Sequence, residues 1–428
     1  MSVLRSMHTG ASGLRSHSSA IGVTGDNIAN ANTMGFKRSR GVFEDILGRS
    51  IAGSSATPMA GAGSRLAHIE QMWTQGALLT TDSPTDLALS GSGFFMVDGN
   101  VSGIDGRFFT RAGQFRIDAA GQLVNPNGLQ LQGYTAAPDG TMGADLGALT
   151  VAGGTLPANA TTAADMSLNL DANTPVATAA FDPAAPSGFP APMTIYDSLG
   201  NSHEITVYFN KTGANQWEWH AMVDGGEVAG GTPGVPFEGA SGTLDFNTDG
   251  ALSAETPGAS TWNFIDATPG QTIEFDFGDA IADGGTGFAA TTQLGSPSTT
   301  NGLSQDGFGA GSVSGISIEP DGIVTGVFTN GQRRVLGQVA IADFASEHGL
   351  ERAGSGLWVE TAASGEALIG GAGSGGRGSI VAGALEGSNV DLGREFVDLI
   401  SFQRGFQANS RIITTSDEMY GELVNLKR

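Results

Sequence analysis

The sequence predicts a mainly β chain with one α-helix near each end. Glycine accounts for 67 of the 428 residues and charged residues for only 15 %, a composition that favours many tight turns. Apolar residues recur at helical spacing near both termini. Between them, Asx-Gly dipeptides separate short segments of alternating apolar residues, a pattern typical of β-hairpins.

The N-terminal segment, residues 1–35, predicts a helix that ends in a turn. Spacings of three and four residues separate the members of a heptad seam: Leu4, Met7, Ala11, Leu14, Ser18, Ile21, Gly25 and Ile28. Asparagine side chains bond local backbone groups, and glycine adopts the positive φ that ends many helices. We therefore predict a helix stop and linker turn at Asn27, Asn30, Asn32 and Gly35.

The C-terminal segment, residues 385–428, predicts a second amphipathic helix. Residues 388–391, Ser-Asn-Val-Asp, have the pattern of a capping box. One apolar stripe follows, formed by Leu392, Phe396, Leu399, Phe406, Ile413, Tyr420 and Leu423. Lys427 and Arg428 would end the helix where cations interact favourably with its dipole.

Each helix has one apolar stripe and contains glycines, which cost about 1 kcal/mol apiece, so neither should be stable alone. Three arrangements remain open: a terminal coiled coil used for self-assembly, a helical pair docked on the body, or helices lying on a membrane surface. For the first, the predicted subunit-assembly seam consists of Leu4, Met7, Leu14, Ile21, Ile28, Phe396, Leu399, Phe406, Ile413, Tyr420 and Leu423.

The region between the helices predicts two Gly-rich β-domains in series, the outer one inserted in the inner one. Residues 36–72 are a connecting segment. The composition turns Ala/Thr/Pro-rich near 150 and Ser/Thr/Gly-rich over 290–312, and we interpret both stretches as linkers. They flank an inserted outer β-domain, 151–305, and leave a middle β-domain built from 73–150 plus 306–384.

The net charge of −23 is concentrated in the predicted outer domain. Residues 151–305 contain 17 acidic side chains and one basic side chain, Lys211. Such a surface repels phosphate backbones and anionic lipid, so we expect no nucleic-acid partner and no membrane partner. There is no cysteine, which excludes disulfides and thiol chemistry.

No motif indicates an enzyme, a cofactor or a metal site. Asp245–Gly250 matches the first half of a calcium loop, but Thr256 stands where the bidentate ligand belongs, so a hairpin is favoured. Gly371–Gly376 has the letters of a dinucleotide fingerprint without its βαβ context, which favours a flexible loop. A secreted β-rich adhesin or glycan-active enzyme remains an alternative and would need a cleft within 151–305.

Several segments resemble motifs of the bacterial flagellar hook and rod axial protein family. Residues 7–40 resemble its N-terminal signature, and residues 388–428 resemble its C-terminal one. Residues 79–97 and 109–134 are similar to its first-domain motifs. This chain departs from the pattern at Gly405-Phe406, where Ala-Tyr is usual, and at Gly393, where a better helix former is often found.

The resemblance implies a structural subunit that self-assembles into a curved hollow helical tube, the flexible joint that passes torque from rod to filament. It implies terminal helices on the inside, β-domains in the middle and outer layers, and export as an unfolded chain, without a cleaved signal peptide, to the extracellular hook. The implied partners are further copies of itself, the distal rod, hook cap and hook–filament junction proteins, and the flagellar type III export apparatus. A distal rod-type axial protein is the alternative, and the insertion around 193–213 favours the hook.

Overall fold

The structure, a computed structural model, describes residues 2–47, 61–101, 103–137, 140–151, 155–289 and 291–425. It is mainly β, with one long helix near each terminus. The chain divides into two compact units. Unit 1 comprises 1–153, 314–327 and 333–428, and unit 2 comprises 154–313 and 328–332.

Unit 1 begins with helix α1, Ser2–Ala29, followed by a hairpin of β1, Ser39–Leu47, and β2, Gly61–Gln71. The two strands pair antiparallel, with Ser39 opposite Gln71. The predicted connecting segment, 36–72, therefore contains a β-hairpin. The next strands are β3 Leu78–Thr80, β4 Leu87–Ser90, β5 Phe94–Val101, β6 Ile104–Thr110, β7 Arg116–Ile117, β8 Leu123–Val124, β9 Gln130–Ala136 and β10 Met142–Ala148.

Unit 2 contains ten complete strands and two 3₁₀ turns, Gly225–Glu227 and Ile281–Asp283, within the described residues. The strands are β11 Thr155–Leu156, β12 Ala163–Asp171, β13 Phe189–Tyr196, β14 Ser202–Gly213, β15 Gln216–Asp224, β16 Pro236–Phe246, β17 Leu252–Ser260, β18 Glu274–Asp276, β19 Thr292–Leu294 and β20 Thr299–Gln305.

The chain then returns to unit 1. This part contains a 3₁₀ turn, Glu347–Gly349, and the second helix, α2, Leu392–Asn425. The remaining strands are β21 Gly311–Ile318, β22 Ile323–Phe328, β23 Arg333–Asp343, β24 Glu351–Gly354, β25 Leu357–Val359, β26 Leu368–Gly371, β27 Ser379–Ala382 and β28 Ala384–Glu386.

The main sheet of unit 1 has the strand order β22-β23-β9-β5-β6-β25-β24. Its core follows from the period-two alternation of a strand. On β5, Phe95 and Val97 belong to one buried cluster, and Phe94 and Met96 belong to another. All four side chains are fully buried, so this strand is covered on both faces.

Unit 2 combines a five-stranded antiparallel sheet, in the order β13-β14-β15-β16-β17, with a smaller sheet in which β12 pairs with β18, β19 and β20. Alternate residues of β15, including Trp217 and Trp219, point into the shared core beside Phe209, Phe277 and Trp262. Lys211, the one basic residue of the unit, is itself buried and donates to the carbonyl oxygen of Ala172. No described helix has the length and apolar character needed to cross a membrane.

Two local predictions are wrong, and a third is confirmed by this fold. The predicted linkers near 150 and over 290–312 instead contain strands, including β20, because threonine-rich segments suit strands that can pair. The predicted capping box is wrong: α2 begins at Leu392, and Asp391 caps it by accepting from the backbone N–H of Gly393 at 2.9 Å. The hairpin at Asp245–Gly250 is confirmed by the pairing of β16 with β17.

Candidate functional site

Helices α1 and α2 contact each other partly through small and polar residues of α1, including Gly10, Gly13 and Asn27. The buried positions of α1 recur every three to six residues and are Gly10, Ser16, Ala20, Thr24 and Asn27. Small side chains allow two helix backbones to approach closely.

The two helices approach each other closely at Gly10 and Gly13. A Cβ on Gly10 would lie 3.2 Å from Cγ1 of Ile413, and one on Gly13 would lie 2.6 Å from Oδ1 of Asn409. One turn along, the Oγ atoms of Ser6 and Ser416 are 3.0 Å apart. A methyl group on Gly10 would require Ile413 to shift slightly, and one on Gly13 would displace the Asn409 side chain.

A second close approach explains one departure from the family pattern. A Cβ on Gly405 would lie 2.6 Å from the ring of His17, which packs over this position and beside Phe402. The predicted weakness of α2 at Gly405 is accompanied by a specific contact with α1.

The predicted seam residues fall into two groups. Met7, Leu14, Ile21, Ile28, Leu399, Phe406 and Ile413 are partly buried, whereas Leu4, Phe396 and Tyr420 are 55 %, 49 % and 48 % exposed. Leu423 belongs to α2, but its side chain lies outside the described residues, as do Lys427 and Arg428. The predicted stripe includes Leu392 but lacks five other exposed apolar residues of α2, Val397, Ile400, Ile412, Met419 and Val424. The four-residue spacing of Leu392, Phe396 and Ile400 is the sequence signal that could have identified this exposed apolar row.

The asparagine run has two roles. Asn27 lies inside α1, where its amide donates to the carbonyl oxygen of Ser39 and accepts from the backbone N–H of Ser39, each at 2.8 Å. Asn30 lies just past the helix and donates to the carbonyl oxygen of Asp26. Asn32 is exposed, and Gly35 has φ of 69° in a site where a Cβ would meet Ala112.

Asn27 is also part of a polar cluster that joins both helices to β1. It donates to Oε2 of Glu395 on α2 at 3.1 Å, and Arg38 forms an ion pair with Oε1 of the same carboxylate at 3.0 Å. Glu395 is 2 % exposed. Both helices are thus attached to the chain segment that leaves α1.

A buried charge cluster joins the segment that follows α1 to the segment that precedes α2. Nζ of Lys37 lies 2.5 Å from Oε1 of Glu386, and Nη1 of Arg111 lies 3.5 Å from Oε2 of Glu386. Lys37 also donates to the carbonyl oxygen of Thr74, and Glu386 accepts from the backbone N–H of Gly76. Burial lowers the pKa of Lys37 from its ordinary value, and the neighbouring Glu386 carboxylate opposes that shift.

The described residues contain no group of three or more histidine, cysteine or carboxylate side chains positioned to hold a metal ion. In unit 2, His203 contacts the carboxylates of Asp197 and Glu227 and stacks on Phe264 at 3.8 Å between ring centroids. This histidine therefore packs between the core and two acids.

Family models match most of the chain. The model described as Flagella basal body rod protein matches residues 7–37, and that of the Flagellar hook protein FlgE/F/G D1 domain matches 88–171. The Flagellar basal body protein FlaE D2 domain matches 169–308, and the Flagellar basal body rod FlgEFG protein C-terminal model matches 381–426.

Among known proteins, the chain is 35 % identical to the flagellar hook protein FlgE of Borreliella burgdorferi, over 99 % of this chain and 100 % of that protein. It is 36 % identical to FlgE of Salmonella typhimurium, over 97 % and 98 % respectively. The crystal structure of Helicobacter pylori flagellar hook protein FlgE2 aligns with a TM-score of 0.51 and 15 % identity, covering 71 % of this chain and 98 % of that one, and supports the fold alone. Similarity at this level over nearly the whole length shows that the chain belongs to the flagellar hook protein family, whose members are structural proteins rather than enzymes.

Proposed function

We propose that this chain is a subunit of the flagellar hook and polymerises into a curved hollow tube that passes torque from rod to filament. In this proposal α1 and α2 form the inner coiled-coil layer, 73–150 plus 306–384 the middle layer, and 151–305 the outer layer. The subunit reaches the extracellular hook as an unfolded chain through the flagellar type III apparatus. Its partners there are its own copies and the distal rod, cap and junction proteins.

The observation that carries the proposal is the row of large apolar side chains that the helical pair leaves exposed. Leu392, Phe396 and Ile400 occur at intervals of four residues on α2, so they lie on one stripe of the helix surface. Contiguous exposed apolar surface marks interaction sites in soluble proteins. Further copies of the same helices provide matching apolar surface, because every subunit carries the same stripe.

The hook assignment within the family draws support from the match of residues 169–308 to a D2 domain model. The test is negative-stain electron microscopy of the purified chain, concentrated in polymerising salt. Circular dichroism of the dilute monomer measures how much helix forms before assembly. Curved tubes support the hook, straight tubes favour a rod component, and a chain that stays monomeric at all concentrations contradicts both.

A further inference from the structure

His203 is buried at the start of β14, with a carboxylate beside each nitrogen of its ring. Nδ1 lies 2.5 Å from Oε2 of Glu227 in the 3₁₀ turn Gly225–Glu227, and Nε2 lies 3.3 Å from Oδ2 of Asp197 in the β13–β14 turn. Only 8 % of the histidine is exposed. A neutral imidazole has one N–H and donates at one nitrogen, whereas the protonated ring donates at both. The two contacts together therefore require the protonated ring.

The packing around the ring favours the same charge state. The imidazole lies flat on the ring of Phe264, with 3.8 Å between centroids and 14° between planes, and a cation is attracted to the face of an aromatic ring. Asp197 is fully buried, and burial raises its pKa, but hydrogen bonds from Asn201 and His203 lower that pKa below its ordinary value. Asp197 is consequently an ionised acceptor held against the histidine.

The other charged groups near the ring point away from it or have partners of their own. Glu204 follows His203 on β14, so its side chain points to the opposite face of the sheet. Asp224 caps the 3₁₀ turn by accepting from two backbone N–H groups of its own loop. Asp266 is exposed on the loop that carries the stacked phenylalanine, and Lys211, at the far end of β14, donates to a backbone carbonyl oxygen. The two contacting carboxylates are therefore the groups that respond to the charge of the ring.

Loss of one ring proton leaves a single N–H for two carboxylates. The bond to Asp197 should persist, because this carboxylate is fully buried and would otherwise face an unprotonated nitrogen. Glu227 is the partner that can leave, since 41 % of its side chain is exposed and water can solvate it. We propose that His203 is a pH-operated latch, which fastens the 3₁₀ turn to the β13–β14 turn when protonated and releases Glu227 when neutral.

The test is hydrogen exchange of the full-length chain, kept dilute, between about pH 5.5 and 8, the range in which histidine changes charge. Rates are corrected for the intrinsic effect of pH on exchange. The reporter is the backbone N–H of Ile265, which donates to the carbonyl oxygen of Glu227 at 3.0 Å. We expect its exchange to speed up by about tenfold or more as the pH rises, since one charged hydrogen bond is lost. The core strand β15 should stay protected, and equal speeding of both would indicate global unfolding and overturn the latch.

Two variants give a matched comparison. Glu227→Gln keeps the side-chain shape but removes the charge, so exchange at Ile265 should then depend little on pH. Glu204→Gln removes the same charge from an exposed neighbouring position and should keep the wild-type pH dependence. Nitrogen-15 NMR of the histidine-labelled chain reads the ring directly, and at the low end of the pH range both nitrogens of His203 should carry protons. An unprotonated nitrogen there, or an unchanged pH dependence in Glu227→Gln, would refute the proposal.

Discussion

Lys37 and Glu386 form an ion pair, with Nζ and Oε1 2.5 Å apart and both side chains completely shielded from solvent. The two residues are 349 positions apart in sequence, yet they join the segment that leaves α1 to the segment that leads into α2. This pair lies where the covalent chain passes between the helices and the sheets of unit 1. Its integrity is therefore the first property to test.

Glu386→Gln should destabilise the chain by about 3–5 kcal/mol, because it leaves Lys37 and Arg111 as buried cations without a counter-charge. The measurement is urea unfolding followed by tryptophan fluorescence and circular dichroism. The matched control is Glu44→Gln, which removes an exposed ion pair with Arg65 and should cost less than about 1 kcal/mol. Equal losses for the two variants would show that the buried pair has no special role.

Gly421→Ala should stabilise α2 by about 1 kcal/mol, because alanine is the better helix former and a Cβ there meets nothing within 4 Å. Gly405→Ala should lose that gain, since its methyl group meets the ring of His17. Thermal unfolding by circular dichroism measures both. If the clash with His17 offsets the gain in stability, adding His17→Ala to Gly405→Ala should restore that gain. A higher unfolding temperature for Gly405→Ala alone would contradict the packing argument.

Phe396→Asp should abolish polymerisation while leaving the monomer folded, because about half of the Phe396 side chain is already exposed and its proposed contacts are with other subunits. Ser401→Asp adds the same charge at an exposed polar position of α2 and should still assemble. Sedimentation and electron microscopy give the readout. Phe406→Asp and Ile413→Asp should also block assembly, but both residues are partly buried, so these variants also test the helical pair itself.

Deleting approximately residues 151–305 should leave a chain that polymerises into a tube of altered curvature or stiffness. The physical reason is that the proposed permanent contacts lie on α1 and α2, outside the deletion. Electron microscopy of the assembled variant measures curvature. A variant that folds but never assembles would contradict the layered arrangement.

Stability should respond in opposite directions to two acids of unit 2. Burial raises the pKa of Glu255, so its favourable contribution is present at low pH and is lost as the pH rises through the folded-state value. Backbone N–H groups of Gly226 and Gly234 lower the pKa of Asp224, whose contribution is present above the unfolded-state value and is lost as the pH falls. At pH 7, Glu255→Gln should therefore raise the unfolding midpoint and Asp224→Asn should lower it. Thermal unfolding between pH 3 and 7, near the ordinary pKa values of acids, measures both slopes. Changes of the same sign would contradict these assignments.

The sequence by itself determined the mainly β fold class, the two terminal helices and the family. Helical spacing marked the termini, Asx-Gly pairs marked the hairpins, and local turn chemistry was enough to reject the calcium loop, because all these signals act over a few residues. Only the tertiary structure decided what Asn27, Gly405 and Glu386 contact, since their partners lie between 12 and 388 positions away. The same holds for β20, which looked like a linker because its pairing strand is 130 or more residues earlier. Strand pairing and burial depend on neighbours that chain folding brings together, and no local pattern encodes them.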